Sequence, residues 1–234
     1  MNKTKPGSFV SMLALASLLL APNAGAQVSV GADILSRYIW RGVDYGNSPS
    51  FQPSLALTLG NFKLGTWGAY SFAGSGTPFA EHDIWASFDI PTSAGTFSAL
   101  YTDYYYPSAG LKYFNFEGEG TGAHTLEVGI GYAGPETVPL TVKAYFNVHN
   151  DPDKSAYFEL GYPVALQSVR LNFFVGASAG KSVWYGTEQA AVINVGFTAS
   201  KSITVTESFS LPVFASFIVN PDLEQSYLAV GMTF

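Results

Sequence analysis

Ten charged side chains recur on the polar parity of stretches that otherwise alternate: Asp33, Arg37, Arg41, Lys63, Asp83, Asp89, Glu127, Lys143, Glu159 and Arg170. Five are acidic and five basic, so a channel lined by them is mixed in sign. Charged side chains around a constriction select ions and small polar solutes. Balanced charges also pair, and a set of interlocked pairs stiffens or plugs a narrow lumen. Arg37 and Arg41, four residues apart on one face of an extended chain, form the best basic ladder.

The three histidines offer a second chemistry. Parity sends His82 and His124 outward and His149 inward. A lipid hydrolase would need one of them to activate a serine at an outer rim, but no barrel-enzyme signature surrounds them. Cysteine is absent and no two histidines are closely spaced, so neither a metal nor another cofactor is expected. Asn150-Asp151-Pro152-Asp153 lacks the spacing and distal Glu of a calcium loop and reads as a turn. The glycines from Gly118 to Gly122 follow no strand–helix pattern, so they give no phosphate cradle.

The elements that must carry these residues are strands. Leu126, Val128, Ile130 and Tyr132 face one way, and Thr125, Glu127, Gly129 and Gly131 the other. Leu140 to His149 repeats the pattern. Stretches of roughly ten residues of this kind, separated by turns, mark a transmembrane β-barrel. About twelve are expected, at 28–43, 50–59, 62–73, 81–91, 96–106, 123–132, 139–149, 154–164, 168–177, 188–198, 202–217 and 224–234. Connections alternate between tight turns, one of them at Ala199 to Lys201, and longer loops, the longest at 107–122. The expected fold is all-β: a transmembrane antiparallel up-and-down β-barrel with short periplasmic turns and longer extracellular loops. The 107–122 loop could fold into the mouth as a lid.

Composition agrees. Charged residues make up 12% of the chain, against roughly 25% in ordinary soluble domains. The polar faces are rich in Gly, Ser, Thr, Tyr and Asn rather than charge, which disfavours a soluble β-sandwich. Residues 1–26 read as a signal peptide, with Lys3 and Lys5, an apolar Phe9–Leu20 run and Ala24-Gly25-Ala26 before the cut. Residues 27–234 form the barrel domain. Without Lys3 and Lys5 the formal charge moves from −6 to −8, which disfavours nucleic acid as a partner.

Aromatics on the apolar parity suggest two interfacial girdles. Phe62, Phe97, Tyr132, Tyr162, Phe197 and Phe234 flank tight turns or the last residue; Tyr38, Trp40, Phe51, Tyr70, Phe72, Tyr101, Phe158 and Phe217 lie at the opposite ends. The last strand alternates up to Phe234 and resembles the signal read by the outer-membrane barrel assembly machinery. Ser36-Arg37-Tyr38-Ile39-Trp40-Arg41-Gly42, with Gln52-Pro53, Trp67-Gly68-Ala69-Tyr70, Glu81, Asp83 and Tyr104-Tyr105-Tyr106-Pro107, resembles the TorF-type porin family, long known as conserved proteins of unknown function. That resemblance implies an outer-membrane barrel and a pore, and brings no substrate with it. The expected function is a non-enzymatic porin in the bacterial outer membrane, in contact with its lipid, passing small polar solutes. The alternatives are a lipid-modifying enzyme with His124 or His82 as base, and a structural or adhesive barrel with a plugged lumen. The sequence assigns neither a solute nor an oligomeric state.

Overall fold

The computed structural model describes residues 25–72 and 79–234. All but the last two residues of the expected signal peptide, and most of the connection at 74–80, lie outside the described residues. In chain order the strands are β1 (Gln27–Leu35), β2 (Tyr38–Trp40), β3 (Val43–Tyr45), β4 (Ser50–Leu59), β5 (Phe62–Ser71), β6 (Ala80–Thr92) and β7 (Gly95–Tyr105). After a short 3₁₀ turn at Pro107–Ala109 come β8 (His124–Ala133), β9 (Thr141–His149), β10 (Ala156–Leu166), β11 (Val169–Ser178), β12 (Ala191–Thr206), β13 (Phe209–Asn220) and β14 (Gln225–Thr233). All but β2 and β3 pair antiparallel with their chain neighbours, and β1 closes the ring against both β4 and β14. The result is a closed twelve-stranded up-and-down barrel.

A closed sheet leaves no edge unpaired, and its strands alternate between an outer and an inner face. Outward positions are apolar: Val30, Leu55, Phe88, Ile130, Leu160, Val175 and Leu228 all stand exposed on the outer wall. Outer-face aromatics meet across strands, Phe97 on Tyr132 at 5.0 Å beside the β6–β7 turn and Phe173 on Phe197 at 5.9 Å, further from the turns, between ring centroids. Inward positions carry the polar set, including Gln52, Thr125, Asn147, Asn194 and Ser216, all buried.

Two stretches differ from the sequence expectation. The strand expected over 28–43 ends at Leu35. There the chain leaves the wall, with Ser36 bonded through its amide and its hydroxyl to Val230 of β14. It folds back as a second, two-stranded sheet of β2 and β3, paired Tyr38↔Tyr45 to Trp40↔Val43. Arg41 (φ 50°) and Gly42 (φ 81°) both lie at positive φ, as a two-residue type I′ hairpin turn requires. Tyr38 and Trp40 are therefore hairpin residues rather than members of an outer girdle.

The second difference is the turn expected at Ala199–Lys201, which lies instead at Glu207–Ser208 between β12 and β13. Phe217 consequently sits directly opposite Phe197, 6.4 Å between rings, and not at the loop end. β11 stops pairing with β12 at Ser200 and β14 stops pairing with β13 at Val213. The tip of this hairpin extends past both neighbours.

Candidate functional site: a hairpin across the lumen

The β2–β3 hairpin runs into the barrel, and its contacts name the strands it reaches. Tyr38 packs on Trp67 of β5, Trp40 on Tyr104 of β7, and Arg41 on Glu127, Tyr145 and Tyr157 of β8, β9 and β10. The Gly42 carbonyl accepts a 3.0 Å bond from Asn220 of β13, and a Cβ at Gly42 would run into the Ile193 carbonyl of β12. One hairpin thus touches inward groups of strands all round the ring.

Arg41 is the anchor. Its guanidinium donates to both Glu127 carboxylate oxygens, at 2.6 and 2.9 Å, and to the Tyr185 hydroxyl at 2.6 Å. It also lies over the rings of Tyr145, Trp40 and Tyr157, at 4.0, 4.3 and 4.8 Å. A two-pronged carboxylate bond fixes the plane of the guanidinium, while the ring faces supply attraction without a second formal charge. Both side chains of the pair are buried, 9% and 3% exposed. Burial by itself would lower the Arg41 guanidinium, but the charge of Glu127 prevails and holds it well above its ordinary value. Burial pushes the Tyr185 phenol up to about 12, so it keeps its proton beside the cation.

The wall is shaped to receive this. Gly129, directly across from Tyr145, and Gly176, beside Tyr157, carry no side chain where those rings lie. Between Gly176 and Ala177 the pairing of β11 with β12 slips by a residue. This bulge puts Ile193 and Asn194 together in the interior, where Asn194 bonds Tyr157 at 2.8 Å. Bulges re-aim a side chain in this way. From above, the 179–190 loop adds Trp184, whose carbonyl accepts from Tyr45, and Tyr185, stacked on Trp40 at 5.6 Å. On the other side Tyr106 donates to Glu81 at 3.2 Å.

The ten charged residues fall into distinct places. Arg37 and Arg41 stand on the hairpin instead of a wall strand, so they form no ladder; Arg37 pairs with Asp44 at 2.6 Å, Arg41 with Glu127. Asp83 is buried beside the hairpin, next to Glu81. Lys63–Asp89 at 3.1 Å and Lys143–Glu159 at 3.4 Å lie toward the turn end, with their lysines 43% and 44% exposed. Asp33 stands at the β1 seam opposite Thr233 and Gln52, and Arg170 at the turn end opposite Ser200.

The histidines resolve separately. His124 lies on the outer face, fully buried beneath the 106–122 loop, which folds over the wall outside the barrel and not, past Tyr106, into its mouth. His124 Nδ1 is 2.8 Å from Asp103 Oδ1, and its Nε2 meets the Tyr113 carbonyl. Both ring nitrogens are taken, neither by a serine. His82 Nε2 meets the Tyr70 hydroxyl at 2.7 Å. Asp103, absent from the sequence candidates, left a signal there: it is the one acidic residue on the apolar parity of its strand.

The fold and its interior define a class: a closed antiparallel β-barrel carrying a structured hairpin inside. No protein-family model matches the chain, and no curated protein matches it.

Proposed function

We propose that this protein is a bacterial outer-membrane barrel acting as a closed, gated pore. The β2–β3 hairpin shuts the lumen, and small polar solutes pass only when it yields. The observation that carries this reading is the hairpin's reach, from Trp67 on one side to Ile193 and Asn220 on the other, with Arg41 fastened to Glu127 between them. The apolar outer wall supports lipid as its surroundings. The half-exposed Lys63 and Lys143 support a wetted vestibule at the turn end. Ser36 to Gly42, the segment resembling TorF-type porins, forms the entry, first strand and turn of the hairpin, and we extend the proposal to that kinship. Phe234 at the end of β14 remains our candidate contact for barrel assembly. No chemical step is part of this function.

The test is solute permeability in liposomes. Wild-type protein admits small sugars slowly, and Arg41→Ala, which unfastens the hairpin, raises uptake severalfold. Equal, fast uptake by both would make the barrel a permanently open porin. No uptake by either would make it a structural plug.

A further inference from the structure

Outward side chains around the wall are mostly apolar; Lys201, opposite Val213 near the β12–β13 turn, is one exception, and a cluster on β6, β7 and β8 is another. In register along the outer face run Val30, Leu55, Thr66, Ile84, Asp103 and Leu126. The next row toward the loops holds Gly68, His82, Tyr105 and His124. Asp103, His82 and His124 are contiguous on the outer face of β6, β7 and β8, and the register continues from Leu126 to His149 on β9. A carboxylate placed where an apolar wall meets lipid is costly and marks function more often than architecture.

The cluster is also hollow. Gly68 supplies no side chain, and the Tyr70 ring leans over it to reach His82. A crevice of about 390 Å³ opens there. Val30 and Leu55 line one flank, Asp103, His82 and Tyr113 the other, with Thr66 and Ile84 between. One side accepts a hydrocarbon chain and the other offers hydrogen-bonding groups. No Lys or Arg lines it, and its one carboxylate on the outer row is Asp103. Asp103, 14% exposed and bonded to His124 through one oxygen, is an acceptor that calls for a donor.

We propose that this crevice is a binding site for one membrane lipid whose head group carries N–H donors, with its acyl chain on the Val30–Leu55 flank and its ammonium toward Asp103. The proposal rests on the outer wall facing lipid, but not on the hairpin gating the lumen. Its chemistry separates ethanolamine from choline: the two heads carry the same charge, and only the first has N–H donors.

The experiment is native mass spectrometry of the folded barrel, released from detergent with dioleoyl phosphatidylethanolamine or dioleoyl phosphatidylcholine, with wild type, D103N and T66F compared. Wild type retains a single ethanolamine lipid about tenfold more than a choline lipid, on the scale of one charge-assisted hydrogen bond. D103N loses the preference. T66F, an outward apolar change that fills the hollow, loses retention of both. Equal retention of the two lipids by wild type, or retention unaltered in T66F, overturns the site. Folding of each variant is read from its heat-shifted mobility on gels, so a misfolded sample is not scored. A chain that stays folded in buffer without detergent overturns the membrane reading itself, a different failure from loss of lipid preference.

Discussion

The two halves of the lumen hold the same kind of ion pair in opposite settings. At the loop half, Arg41 and Glu127 are 9% and 3% exposed, enclosed by Trp40, Tyr145, Tyr157 and Tyr185. Nearer the turns, Lys63–Asp89 and Lys143–Glu159 join neighbouring strands, with lysines more than two-fifths exposed, and Glu159 reaches back to accept from the Tyr157 hydroxyl at 2.8 Å. Removing one partner of a buried pair strands the other charge in a poorly solvated place and costs about 3–5 kcal/mol. An exposed pair is worth about 0–1 kcal/mol. The lesson is one of use: the buried pair fastens an inserted element to the wall, while the exposed pairs leave a wetted surface.

That contrast is broken most severely at its anchor. Arg41→Ala should destabilise the folded barrel by about 3–5 kcal/mol, seen as a lower urea midpoint in micelles. A loss below about 1 kcal/mol would mean the pair behaves as an exposed one. A smaller effect comes from alkali. The Tyr185 phenol is raised from 10.0 to about 12 in the fold. Between those values the native state therefore holds a proton that the unfolded chain has released, and stability falls as pH rises. Hairpin release, followed by tryptophan fluorescence, should grow as pH rises from about 10 to about 12. No change across that window would mean that the Tyr185 proton does not help to hold the hairpin. The smallest effect belongs to Lys63→Ala, expected to shift stability by less than about 1 kcal/mol; a larger loss would erase the difference between the two halves.

The wall was legible because a period of two survives along each strand, and Leu126 to Tyr132 shows it without any partner in view. The hairpin was not. Tyr38 to Trp40 continues the alternation of β1, and only Gly42 hints at a turn, because arginine is an uncommon residue at positive φ. Arg41 shows no preference in sequence for Glu127, which lies 86 residues away; that pairing is set by barrel closure. The β12–β13 turn was misplaced because Ser200-Lys201-Ser202 has turn composition, whereas those residues continue the strand beyond its neighbours. Asp103 differs again: it lies on the outer parity of β7, where a carboxylate is rare and its rarity is the information.

The most direct test of the account is single-channel conductance in planar bilayers of wild type beside a variant in which residues 37–45 are replaced by Gly-Ser-Gly. The wild type should be closed for most of the record and the variant should hold a steady open level. Steady conductance of the same size in both would show that the hairpin does not close the lumen, and would contradict it.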